Sequence, residues 1–112
     1  MPLIIGVARE RVPGEHRVAL APETNKKFQA LGAKVVLEKD AGLESHFMDA
    51  SYEEADFAEE LVAVYAKSGL ILRVTPPSPE EIAALPEGSV LIGLLKPFED
   101  KARLAALNAR RI

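Results

Sequence analysis

Cysteine and tryptophan are both missing from the 112 residues. No disulfide, thiolate metal ligand or cysteine nucleophile is therefore available. Histidine occurs only as His16 and His46, with no second imidazole at helical spacing and only the scattered carboxylates of Asp40 and Asp49 as co-ligands, so no metal site is expected. Positive charge is short as well: 14 Lys and Arg stand against 17 Asp and Glu, a net charge of −3. This removes the broad basic field that nucleic acid or an anionic membrane surface requires. No apolar run reaches the about 18 residues of a membrane span, and the opening Met-Pro-Leu-Ile-Ile-Gly lacks the basic flank and cleavage site of a signal peptide. Neither nucleic-acid binding nor direct membrane insertion is expected, and a cytoplasmic location is. No G-x-G-x-x-G occurs. Gly88 and Gly93 have the outer spacing of a phosphate loop, but they enclose Ser-Val-Leu-Ile and no Lys-Ser or Lys-Thr follows. Ser45 and Ser51 have no G-x-S-x-G setting, so a hydrolase triad has no support.

What is present is the composition of one small soluble domain, 48% apolar and 28% charged, long enough to bury a core. Residues 3–8, Leu-Ile-Ile-Gly-Val-Ala, form a nearly continuous apolar run, which suits a strand buried on both faces. A polar loop, residues 9–17, contains the turn dipeptide Pro13-Gly14. Pro22 opens a predicted helix over 22–31, on which Thr24, Phe28 and Leu31 share helical spacing before Gly32 stops it. Residues 33–38 read as a second strand and 43–51 as irregular. From Glu53 onward, Phe57, Leu61, Val62 and Tyr65 fall on one helical face, although 61–65 could also run extended. Residues 69–74 make a third strand. Ser78 with Pro79 and Glu81 is a capping-box start for a short helix through Leu85. Residues 90–95 make a fourth strand, and 99–111 a helix whose Glu99-Asp100 start and Arg110-Arg111 finish complement the helix dipole.

Four apolar strands separated by helices predict an α/β fold, an open and mostly parallel sheet of flavodoxin or Rossmann type with helices on both faces. Such sheets bind ligands beyond the carboxyl ends of their strands. Three basic residues fall at that edge: Arg17 from the first loop, Arg73 closing the third strand and Lys96 closing the fourth. Arginine holds two anionic oxygens in its planar fork, and lysine supplies a mobile point charge, so together they are the candidate anion or substrate cleft. The competing reading is that each marks where a strand meets water.

Residues 5–24, Ile-Gly-Val-Ala-Arg-Glu-Arg-Val-Pro-Gly-Glu-His-Arg-Val-Ala-Leu-Ala-Pro-Glu-Thr, resemble the N-terminal signature of the alanine dehydrogenase and nicotinamide nucleotide transhydrogenase family. Asp40-Ala41-Gly42, Tyr52 to Ala55, Ile71 to Val74 with Pro76-Pro77, Glu80 to Ile82 and the stretch 88–97 are similar to that family's landmarks in the same order. The likeness runs over nearly the whole chain. In alanine dehydrogenases it implies an arginine in the first loop and a lysine closing the third strand, which hold the oxo acid, and a histidine after the fourth that transfers a proton. Arg17 matches the first, whereas Arg73 stands where the lysine is expected and Lys96 where the histidine is. An arginine is a poor proton donor and a lysine offers no neutral imidazole.

The Pro-Gly-Glu loop and Lys96-Pro97 resemble the transhydrogenase branch better. That resemblance implies the α subunit of a proton-translocating NAD(P) transhydrogenase, which exchanges hydride between NAD(H) and NADP(H). Its partners would be the membrane and NADP-binding subunits and a second copy of the parent subunit. NAD and NADP belong to that parent complex. In the family the glycine-rich turn lies much later in the chain, so residues 1–112 are expected to form a single, truncated N-terminal domain that has no catalytic residue of its own and binds neither nucleotide alone. The stretch 52–69 is shorter than usual and lacks a clear short strand. The alternatives are an alanine dehydrogenase or saccharopine dehydrogenase-like domain, and an α/β interaction module without catalysis.

Overall fold

The computed structural model describes residues 3–112, arranged around a five-stranded sheet in which every pairing is parallel. Its strands are β1 (Ile4–Val7), β2 (Lys34–Glu38), β3 (Asp56–Ala58), β4 (Leu70–Leu72) and β5 (Val90–Ile92), in the order β3-β2-β1-β4-β5. The helices are α1 (Pro22–Ala30), α2 (Leu61–Ala66), α3 (Pro79–Ala84) and α4 (Lys101–Ala109). The open α/β class read from the sequence is the one observed, with one strand more than expected.

The extra strand is β3, in a stretch where apolar spacing predicts continuous helix. Val36, Leu37 and Glu38 pair with Asp56, Phe57 and Ala58, and the helix is confined to α2. Phe57 packs on one face of the sheet and Ala58 on the other, a period of two. The strand opens on Asp56 and is followed by Glu59 and Glu60, so its β propensity is low and pairing with β2 decides its conformation.

Two apolar layers cover the sheet. Val7, Val35 and Leu37 face Leu20, Phe28 and Tyr52, on the side of α1 and the 3-10 turns Leu43–Ser45 and Asp49–Ser51. Val36 and Ile71 face Leu61, Val64, Tyr65, Ile82, Leu85 and Leu107, from α2, α3 and α4. The crossovers from β1 run first toward β3 and then return past β1 to β4 and β5. The sheet therefore has a switch point between β1 and β4, where the loops that follow them part. Gly6 is needed near that point, because a Cβ there would overlap the Ser68 side chain and meet Val64 Cγ1 at 3.2 Å.

Helix α1 docks differently from its apolar pattern. Phe28 packs inward as expected, but Leu31 lies past the helix and is 82% exposed. The fully buried residue is Asn25, whose amide donates to the Glu53 carbonyl at 3.0 Å, and Gln29 reaches the same oxygen at 3.1 Å. Helix α3 follows its sequence closely: Ser78 Oγ accepts from the Glu81 N–H at 3.2 Å, and the Glu81 carboxylate accepts from the Ser78 N–H at 2.8 Å.

Candidate functional site

A crevice of about 480 Å³ opens at the carboxyl ends of β4 and β5, against the far end of the loop that follows β1, on the edge that the topology favours for a ligand. Arg17, Val18, Phe47, Arg73, Ile92 and Leu94 are among the residues around it. Gly93 lets β5 lie against the end of β4, since a Cβ at this position would stand 2.5 Å from the Arg73 carbonyl oxygen.

Arg17 sits on the loop 8–21, which is fastened at several points independent of its side chain. Ser45 Oγ donates to the His16 carbonyl at 2.5 Å, His16 Nδ1 lies 3.1 Å from Glu44, and the Tyr52 hydroxyl donates to the Leu20 carbonyl at 2.7 Å. The Arg17 side chain is 64% exposed. Its Nε and Nη2 each donate to the Glu15 carboxylate at 2.8 Å, and its backbone N–H does so at 2.9 Å. Those bonds hold the Glu15 carboxyl down to about 2, well below its ordinary range.

Arg73 touches the crevice but spends its guanidinium elsewhere. Its side chain is 2% exposed. Nη1 donates to Glu81 at 2.6 Å and to the Tyr65 hydroxyl at 3.0 Å, Nε donates to the Thr75 carbonyl at 2.9 Å, and Nη2 lies 3.5 Å from Glu10. Glu10, also 2% exposed, accepts from the backbone N–H groups of Val74 and Thr75, both at 3.0 Å. The cluster is thus a clasp that ties the loop after β1 to the loop after β4 and to α3. Burial alone would push the Glu81 carboxyl up, yet the Ser78 N–H and Arg73 hold it below the ordinary value. Burial pushes the Tyr65 phenol up, against the opposing pull of Arg73. Every charged member has a partner of opposite sign, as buried charges require.

Lys96 is exposed on the loop after β5, in a left-handed conformation with φ 48, and is not part of the crevice lining. The structure therefore brings Arg17 and Arg73 to one crevice and leaves Lys96 off it. Sequence reasoning passed over Glu10, Glu15, Tyr65 and Glu81. For Glu10, Tyr65 and Glu81 the signal that could have found them is Arg73 itself: a guanidinium closing a buried strand needs partners, and Glu10 leaves the neighbouring strand at the same edge.

Dinucleotide binding does not fit these residues. The loop after β1 has no glycine cradle, and α1 begins only at Pro22. Glu38, at the end of β2 where Rossmann-type domains place the ribose-binding acid, is only 4% exposed and taken by Arg11 Nη1 at 2.9 Å, Arg11 Nη2 at 2.6 Å and the Arg9 N–H at 2.8 Å. Among the described residues no group of three or more metal-ligating side chains converges, and no helix is long and apolar enough to cross a membrane.

Comparison with known proteins places this architecture. The chain is 34% identical to the NAD(P) transhydrogenase subunit alpha of Haemophilus influenzae over 110 residues, which is 98% of the chain and 22% of that subunit. It is 35% identical to the alanine dehydrogenase of Methanococcus maripaludis over 113 residues, 98% of the chain and 30% of that enzyme. The crystal structure of transhydrogenase from Sinorhizobium meliloti superposes with a TM-score of 0.90 at 34% identity, covering 96% of this chain and 32% of that one. The chain thus spans less than a third of the length of each of these relatives, all of them oxidoreductases by name. The model of the alanine dehydrogenase/PNT N-terminal domain matches residues 6–112, and the chain belongs to that family.

Proposed function

We propose that this chain is the N-terminal domain of a transhydrogenase α subunit, framing one wall of the cleft in which the parent complex passes hydride between NAD(H) and NADP(H). The observation that carries this reading is the clasp around Arg73. A guanidinium bound to Glu81, Tyr65 and Thr75, with Glu10 beside it, has little left to offer an oxo acid. Lys96 stands off the crevice, so no proton-transfer group joins Arg17 there. That leaves Arg17 as the cation this wall presents to an anionic group.

In this reading the domain supplies shape and one charge, and the nucleotides are held by parts of the parent beyond it. The partners are the membrane and NADP-binding subunits and a second copy of the parent subunit. The domain lies on the cytoplasmic side, peripheral to the membrane. Proton translocation belongs to the assembled complex.

The 35% identity to an alanine dehydrogenase favours a second reading, in which Arg17 clamps an amino or oxo acid. A chimera separates the two. The matched 110 residues of the Haemophilus influenzae subunit are replaced by this chain, and two reactions are assayed: NADH-driven reduction of an NADP analogue, and alanine-dependent reduction of NAD. Transhydrogenation without alanine turnover is expected. Alanine-dependent NADH formation that disappears with Arg17→Ala would overturn the proposal, and a folded chimera active in neither assay would point to a non-catalytic module.

A further inference from the structure

The two edges of the sheet are built differently. Strand β3 opens on Asp56 and is followed by Glu59 and Glu60, charges of the kind that keep an open edge from pairing. Strand β5 has no such guard: residues 88–95, Gly-Ser-Val-Leu-Ile-Gly-Leu-Leu, carry no charge and no proline. Val90 donates its N–H to the Gly69 carbonyl and Ile92 accepts from the Arg73 N–H, so these two residues turn their backbone toward β4. Leu91, between them, turns its N–H and C=O to the open side, because alternate residues of a strand bond in opposite directions. Val90 and Ile92 lie in register with Leu70 and Leu72 and are both 54% exposed; Leu94, farther along the crevice wall, is 59% exposed. An unpaired edge and an uncovered apolar row thus coincide on one strand, and such an edge is a template for another.

We infer that β5 pairs with β5 of a second copy of this chain, antiparallel about a two-fold axis at Leu91, which joins the two five-stranded sheets edge to edge. The register follows from the side chains. With the axis at Leu91, the two Leu91 residues exchange their free N–H···O=C bonds, and Val90 of each copy stands directly opposite Ile92 of the other, in the closer kind of antiparallel pair. A shift by one residue would set Val90 opposite Leu91, whose side chain packs on the other face of the sheet. The charges fit the same arrangement. Glu87 precedes the strand and Lys96 follows its apolar run, so reversing one copy brings the acid of each to the basic end of the other. Association ends at two copies, because the pairing is isologous and consumes both β5 edges while the acids of β3 guard the outer ones. The inference goes beyond the transhydrogenase reading and stands without it.

Sedimentation of the chain over a range of concentrations, with hydrogen exchange at the Leu91 N–H, tests the pairing. A reversible dimer is expected, in which protection of the Leu91 N–H grows with concentration. Ile92→Glu, at an exposed side chain, is expected to weaken dimerisation at least tenfold, since it sets a charge against Val90 of the other copy. Val90→Lys combined with Ile92→Glu in the same chain places opposite charges across each pair and is expected to regain most of that loss. An amide spectrum unchanged outside β5 establishes that each variant is folded. A chain that stays monomeric, or a dimer indifferent to Ile92→Glu, would overturn the inference. So would a combined variant no better than Ile92→Glu alone, which removes the register. A protected Leu91 N–H in a chain that sediments as a monomer would assign the edge to another occupant and overturn the second copy. None of these outcomes measures hydride transfer, so this inference and the proposed function fail separately.

Discussion

Glu10 and Thr75 join two loops that meet nowhere in sequence: the carboxylate at the end of β1 accepts the Thr75 backbone N–H at 3.0 Å and its hydroxyl at 2.5 Å. Because the same carboxylate also receives the Val74 N–H and lies beside Arg73, it spans the switch point of the sheet. Glu10→Ala strands a buried guanidinium edge and three polar donors at once. A loss of about 3–5 kcal/mol is expected, the range for breaking a buried ion pair from one side, measured by urea denaturation. Glu10→Gln, which keeps one oxygen acceptor, is expected to lose less.

Acid weakens the fold through Glu81. Its carboxyl is held below the ordinary value of 4.5 in the folded chain, so the stabilisation is complete above the unfolded value and drains away as pH falls through the folded one. Between pH 7 and pH 3 the native chain is therefore expected to lose more stability than Glu81→Gln, whose curve lacks this contribution. Parallel urea denaturation of the two at pH 7, 5 and 3 checks the sign. A Glu81→Gln curve as steep as the native one would contradict it.

At Gly93 the limit is space. A methyl group there would press on the Arg73 backbone oxygen at 2.5 Å, and a backbone atom cannot swing aside as a long side chain can. Gly93→Ala is expected to displace β5 from β4 and to cost about 1–3 kcal/mol, as overpacking does. Hydrogen exchange at the Arg73 N–H, which donates to the Ile92 carbonyl at 2.9 Å, reports the separation directly.

The Glu53 carbonyl depends on two amides. Asn25→Leu removes the buried donor and leaves Gln29 as the remaining partner, so a moderate loss of about 1–2 kcal/mol is expected rather than unfolding. The double change Asn25→Leu with Gln29→Ala is expected to exceed the sum of the two single losses, because only then is the carbonyl left without a donor. Denaturation of all four forms measures the coupling.

Much of this architecture is legible in the residues, for physical reasons that differ by element. Helix α3 carries its own start signal in Ser78, Pro79 and Glu81, which need nothing from the rest of the chain. Strand β1 is apolar on both faces because both faces are buried, and its run of residues says so. Strand β3 has no local pattern: Asp56, Phe57 and Ala58, with two glutamates following, become a strand only because β2 offers a free edge. Leu31 shows the converse, an apolar residue at helical spacing that the chain leaves in water while burying the polar Asn25. The candidate site divides in the same way. Arg17 and Arg73 reach the crevice because a parallel sheet sends its loops to one edge, which topology alone implies. Where the Arg73 guanidinium goes depends on Glu10 and Glu81, from segments far apart in sequence, and spacing along the chain does not encode that meeting.

The most direct test of the account is whether Arg73 serves the fold or a ligand. Titration of the chain with pyruvate, observed at the Arg73 Nε–H and the Thr75 amide, separates the two. Both signals are predicted to stay in place while pyruvate rises through the tens of millimolar, because their hydrogen bonds are already made within the clasp. A saturable shift of both, with that of the Thr75 amide abolished by Arg73→Met in a variant that remains folded, would contradict this and return Arg73 to the binding of an oxo acid.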